Sequence, residues 1–149
     1  MRSPPKTALA FAVVASAVSL VFLLRGEGSG LTAESLAGAR ARWKEKGPKS
    51  YEFTVVVDGV AQRVRVRGGE VVEMTTGGSP VPPHVWKYWT VEGMLTFLDD
   101  EWRRACEQNR GAVLRAAFEP ELGYPRYFLR HVPGETRSTE WRVTEFHAR

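Results

Sequence analysis

The hydrophobic pattern from Ser50 to Thr75, SYEFTVVVDGVAQRVRVRGGEVVEMT, alternates with a period of two and is broken at Asp58-Gly59 and Gly68-Gly69. Alternation of this kind reads as half-buried strands. A two-residue Asp-Gly loop is a type I′ hairpin signal, because both central residues need φ > 0. Taking Asp58-Gly59 as the loop sets Val57 against Val60, Phe53 against Val64 and Tyr51 against Val66 on one face. The other face then sets Thr54 against Arg63 and Glu52 against Arg65, since side chains alternate along a strand. For the second turn, a two-residue Gly68-Gly69 loop would bring Glu73 opposite Val64 on the apolar face. A three-residue loop with a glycine bulge, Gly68 to Glu70, instead sets Val66 against Val72, Val64 against Met74 and Arg65 against Glu73. The three-residue loop is expected, because a one-residue slip turns every side chain over. Glu52, Arg65 and Glu73 then lie side by side on the charged face, as in a solvated cross-strand ladder.

The pattern changes period on either side of this sheet. Leu31 to Lys46 puts Leu36, Ala39 and Trp43 on one helical face, behind Thr32 as N-cap and ahead of Gly47-Pro48 as a stop. Thr76 to Trp89 reads as a long loop, in which Pro80, Pro82 and Pro83 disfavour helix and interior strand. Thr90 caps a second helix whose apolar stripe is Val91, Met94, Leu95, Leu98, Trp102 and Ala105. Strands are expected at Ala112 to Phe118, Arg126 to Val132 and Glu140 to Phe146, with turns at Glu119 to Pro125 and Pro133-Gly134. The order helix-βββ-helix-βββ predicts an α+β domain. Its antiparallel sheet would carry two helices packed on one face, preceded by an N-terminal apolar anchor helix.

The anchor is the uncharged run Thr7 to Leu24, which follows Arg2 and Lys6. Eighteen residues at helical rise make a marginal span. An uncleaved signal anchor over residues 1–24 is expected, with a linker at 25–30 and one extracytoplasmic domain at 31–149. The alternative is a cleaved signal peptide and secretion, for which Ala15-Ser16-Ala17 is the small-residue candidate. Arg2, Lys6, Arg25 and Glu27 fall in the first thirty residues, leaving 18 Lys and Arg against 16 Asp and Glu of the chain's 21 and 17. The net charge of +4 therefore overstates any case for nucleic acid, which requires a basic patch. A single cysteine, Cys106, rules out an internal disulfide, so the core must supply the stability.

Four segments together resemble an uncharacterised family of small bacterial envelope domains, often lipoproteins. They are Lys49-Ser50-Tyr51-Glu52-Phe53, Gly69-Glu70-Val71-Val72, Thr90-Val91-Glu92 opening a helix, and Phe118-Glu119-Pro120-Glu121-Leu122-Gly123-Tyr124-Pro125. The last is similar to that family's "YDPELGYP" segment and is the specific part of the match, which covers about residues 38–146. The resemblance implies an envelope compartment and the α+β fold, and no mechanism. The chain departs from it in lacking a lipobox cysteine and in carrying Arg137-Ser138-Thr139-Glu140 where relatives tend to be acidic.

Candidate chemistry is sparse. His84, His131 and His147 are too far apart in sequence to suggest a metal site, and no nucleophile or phosphate loop stands out. No cofactor is expected. Glu119 and Glu121 lack a partner nucleophile, so the segment to Pro125 reads first as a structural turn and second as a contact loop. Trp86, Tyr88 and Trp89 in the proline-rich loop are the best candidates for a contact surface, because Trp and Tyr dominate interface hot spots. The expected function is non-enzymatic: a membrane-tethered domain that binds an envelope protein or peptide through Trp86, Tyr88, Trp89, Glu121 and Tyr124 or an exposed sheet edge. The alternative is a small-ligand binder or weak hydrolase, with a pocket floored by Tyr51, Phe53 and Trp102 and rimmed by Glu121 and Tyr124.

Overall fold

The computed structural model describes residues 28–149. The alternating segments become strands β1 (Ser29–Gly30), β2 (Tyr51–Val57), β3 (Val60–Arg67), β4 (Glu70–Thr76), β5 (Ser79–Pro80), β6 (Val113–Phe118), β7 (Pro125–His131) and β8 (Thr139–Ala148). The 3.6-period segments become helices α1 (Ala33–Lys46) and α2 (Val91–Gln108), and a 3-10 helix covers Pro83–Trp89. The strands form one sheet in the order β1-β6-β7-β8-β2-β3-β4-β5, and every pairing is antiparallel.

The expected helix-βββ-helix-βββ order is thus wrong: the described residues form eight strands and three helices. Both additional strands are two residues long and lie at sheet edges. Ser29 and Gly30, in the expected linker, pair with Ala116 and Arg115, and the Leu31 amide donates to the Leu114 carbonyl at 3.0 Å. The expected proline-rich loop opens with a third two-residue turn, Gly77-Gly78, at φ +56° and +83°. Pro80 is accepted because it sits on an edge strand, and Pro83 because the first turn of a helix needs no amide there. The anchor helix over residues 7–24 lies outside the described residues. No described helix is long and apolar enough to cross a membrane.

The first hairpin has the expected register, from Val57 opposite Val60 to Tyr51 opposite Val66. The second reaches the expected faces by a different route. Its loop is the two-residue Gly68-Gly69 turn, with Arg67 opposite Glu70, and the register shifts inside the strand so that Val66 faces Val71. Val72 is the extra residue of this bulge and is 46% exposed, while Val64 still faces Met74 and Arg65 still faces Glu73. A bulge restores the phase of alternation as well as a longer turn does, and it bends the strand.

All three helices pack on one face of the sheet, over Tyr51, Phe53, Val55, Val64, Val66, Met74, Phe128 and Trp141. Thr32 caps α1 through a reciprocal pair of 3.1 Å hydrogen bonds with Ser35. At the start of α2, Thr90 accepts from the Gly93 amide at 2.9 Å. The buried Tyr51 hydroxyl accepts from the Val91 amide at 2.8 Å, so a β2 side chain satisfies one of the helix's unpaired N–H groups. Burial pushes the Tyr51 phenol well above the ordinary tyrosine range, against the lowering effect of that amide. The Trp43 indole donates to Glu92 at 2.9 Å and ties α1 to the same point. The apolar stripe of α2 is interrupted by Glu101, which is buried and paired with Arg104 at 2.7 Å and Arg130 of β7 at 3.1 Å.

Replacing Tyr51 by Phe leaves the Val91 amide buried without its acceptor. Equilibrium urea unfolding is expected to show a loss of about 1–3 kcal/mol. The parallel change Tyr124→Phe, at a half-buried ring, shifts stability by under about 0.5 kcal/mol.

Candidate functional site

An apolar crevice of about 430 Å³ opens between the 3-10 helix, the first turns of α2 and the paired ends of β2 and β8. It is lined by Val57, Val85, Tyr88, Trp89, Met94, Phe97, Thr139 and Trp141. Pro83 starts the 3-10 helix, and its tight turns carry Val85, Tyr88 and Trp89 across this end of the sheet. The Trp89 ring meets Trp141 edge-on at 6.5 Å, and Phe97 meets Phe128 edge-on at 5.5 Å, so the two walls rest on the core. Tyr88, at the mouth, is 53% exposed and carries the Lys87 ammonium 5.0 Å from its ring. Val60, cross-strand from Val57 on the same face, extends the patch and is itself exposed.

The residues expected to form one contact surface fall into two groups. Tyr88 and Trp89 line the crevice. Trp86 is half-buried, donates its indole N–H to the Val81 carbonyl at 2.9 Å and packs against the core, which makes it a brace for the loop. Glu121 and Tyr124 lie by α1 and the far end of β8, where Tyr124 stacks on Phe146 at 4.2 Å. Phe146 and Trp141 are five positions apart on β8, roughly 15 Å at the rise of a strand. Sequence reasoning missed Val57, Phe97 and Trp141. Each is visible as an apolar residue of its own element, but only the pairing of β8 with β2 puts them together.

The segment Glu119 to Pro125 is a turn held by its own backbone. The Glu119 carboxylate accepts from the amides of Glu121 at 3.0 Å and Leu122 at 2.5 Å. The Gly123 amide donates to the Glu119 carbonyl at 2.9 Å. Gly123 has φ +81°, and a Cβ there would collide with the Ala39 carbonyl oxygen of α1. Burial, and then the charge of Glu119, raise the Tyr124 phenol above its ordinary value, so it is neutral at physiological pH. Tyr51 and Phe53, expected as the floor of a pocket beside this turn, are only 1% and 2% exposed.

The opposite face of the sheet carries the charged ladder. Arg65 bridges Glu73 at 3.0 Å and Glu52 at 3.6 Å, as the register expects. Two further guanidinium groups converge on Glu52: Arg63, and Arg149 at 3.1 Å. The carboxylate is hidden by the arginines lying over it, and the described helices all lie on the other face. Burial alone would raise its pKa, but the hydrogen bonds from Arg63 and Arg149 outweigh that and hold it below the ordinary glutamate range. Among the described residues, no group of three or more His, Cys, Asp or Glu side chains is placed to hold a metal ion.

The model of a family of unknown function, DUF6174, matches residues 35–129. No curated protein matches the chain, and no solved structure does.

Two outcomes are expected. Gly123→Ala costs about 2–4 kcal/mol in urea unfolding, from the left-handed backbone and the collision with α1. The second concerns acid. Because the folded pKa of Glu52 is depressed, its ionised form stabilises the fold above the unfolded-state value of about 4.3, and this is lost as pH falls through the folded value. Below about pH 4.5 the urea midpoint of the native chain should therefore fall more steeply than that of Glu52→Gln. Parallel curves would remove Glu52 as the source.

Proposed function

The chain belongs to DUF6174, a family of unknown function, and we propose that it acts as a non-enzymatic binding domain whose apolar crevice receives an apolar segment of a protein or peptide partner. The crevice itself carries the reading. Its lining offers hydroxyl groups from Tyr88 and Thr139 and indole N–H groups from Trp89 and Trp141, and among the described residues no carboxylate, imidazole, amine or thiol lines it. A tyrosine or threonine hydroxyl is a weak acid, base or nucleophile until a neighbouring base or cation activates it, and no such group of a described residue lines the crevice. Burial of an apolar side chain needs a concave apolar surface with aromatic walls on a rigid support, and Trp89 and Phe97 are held that way by Trp141 and Phe128. In this reading residues 7–24 tether the domain to a membrane, and the partner is another envelope protein. The uncharged eighteen-residue run supports that placement. A small apolar ligand is the second reading, favoured by a volume inside the ~300–1,000 Å³ range of small-molecule sites.

Site-specific photo-crosslinking in cells tests the proposal. A photo-reactive residue at position 88 is expected to form an adduct with a partner protein, whereas one at Glu107, exposed at the far end of α2, does not. Val85→Glu combined with Tyr88→Ala should weaken the captured complex by about thirtyfold or more, the loss of one aromatic hot spot, with an unchanged melting temperature. Equal adducts at both positions would sink the proposal. A small apolar molecule that co-purifies with the native chain and is lost from the double variant would establish the second reading.

A further inference from the structure

We propose that the sheet face opposite the described helices binds a phosphate monoester, in a concavity of about 350 Å³ where β2, β3 and β8 end together. Its lining is Ser50, Glu52, Arg65, Val66, Arg67 and Arg149, three guanidinium side chains against one carboxylate side chain. The excess of positive charge is the first ground. A carboxylate is neutralised by one guanidinium, yet Glu52 draws in Arg63, Arg65 and Arg149. Three like charges gathered on one carboxylate repel one another, and a second anion at the site relieves that repulsion. Glu73 takes up part of Arg65 from its far side, and Glu145 lies beyond His147 in the neighbouring concavity. Neither side chain lines the concavity itself.

The donors are also already in place. Arg67 stands opposite Glu70 across the Gly68-Gly69 turn, yet pairs neither with it nor with any other described side chain, so among the described residues its guanidinium fork is available. The Ser50 oxygen accepts from the Gly68 amide at 3.2 Å, which leaves the hydroxyl proton to donate. Backbone bonds lock the rim: the Gly69 amide donates to the Lys49 carbonyl at 2.8 Å, and the Arg149 amide to the Ser50 carbonyl at 2.9 Å. Glu52 serves as the positioning residue, because arginines held by a carboxylate lose less side-chain freedom when an anion arrives. A phosphate monoester offers three oxygens on a tetrahedral head, which suits two arginine forks and one hydroxyl. The concavity is larger than the head alone and leaves space for its organic substituent. The source is either a free phosphate monoester or the headgroup of an anionic lipid. The site lies on the opposite face from the apolar crevice and does not depend on what the crevice binds.

The full chain in neutral detergent micelles would be titrated by calorimetry with glycerol 1-phosphate and with dihexanoyl phosphatidic acid. Glycerol and dihexanoyl phosphatidylcholine serve as neutral controls. Saturable binding of glycerol 1-phosphate that weakens at least about tenfold in the double variant Arg67→Gln, Arg149→Gln supports the site and identifies a free monoester. Saturable binding confined to phosphatidic acid, with the same loss in the variant, supports it and identifies a lipid headgroup. Arg67→Gln alone changes an exposed side chain that has no partner among the described residues, and it reads out the loss if the double variant does not fold. No saturation with either phosphate, or equal affinity in the variants, overturns the proposal.

Discussion

The pairing of β2 with β8 holds this structure together. All seven residues of β2 have partners in the last strand of the chain, across about ninety residues of sequence. Without it there would be two three-stranded meanders, β2-β3-β4 and β6-β7-β8, each with one apolar face and each too small to bury it well. Joined, they make a sheet wide enough for α1 and α2 to lie side by side on it. The two units follow one another across the sheet in the same sense, the last strand of the second beside the first strand of the first.

The same pairing determines where surface features form. At one end it brings Trp141 beside Val57, and the 3-10 helix then crosses above them to leave the apolar crevice. At the other it brings Phe146 beside Phe53, where Tyr51, Trp43 and Tyr124 close the core with stacked and edge-on rings. On the face opposite the described helices it carries Arg149 to Glu52, converting a three-strand ladder into a convergent group. Because an antiparallel sheet can leave one face in water, apolar and ionic surfaces coexist on opposite sides of a single layer.

Much of the local structure was legible. Asp58-Gly59 specified its hairpin to the residue, since a type I′ turn admits few side chains and register follows from loop length. Thr32 and Thr90 marked their helix starts because a hydroxyl can satisfy the first free amides. The second hairpin was read with the right faces for Val64, Arg65, Glu73 and Met74, but with the wrong loop and with Val72 in the place that Val71 takes. Alternation reports the phase of a strand and not whether the phase is restored in the turn or by a bulge at Val72. Gly77-Gly78 carried the same kind of turn signal and was obscured by the prolines after it. Glu101 broke the apolar stripe of α2 for a reason visible only in space, the arrival of Arg130 from β7.

By itself, then, the sequence determined the short-range grammar of the longer elements: the two α-helices and six of the eight described strands, the apolar face of each, and the tight turn at Asp58-Gly59. Those features depend on backbone φ values, on capping and on a side-chain period within one element, all of which are encoded within a few residues. Only the tertiary structure decided that β8 inserts beside β2, that Tyr88 and Trp89 share a crevice while Glu121 and Tyr124 stand at the other end, and that three arginines meet one glutamate. Each of these depends on which of several compatible strand edges pair, and an edge carries the same backbone donors and acceptors whatever its side chains are.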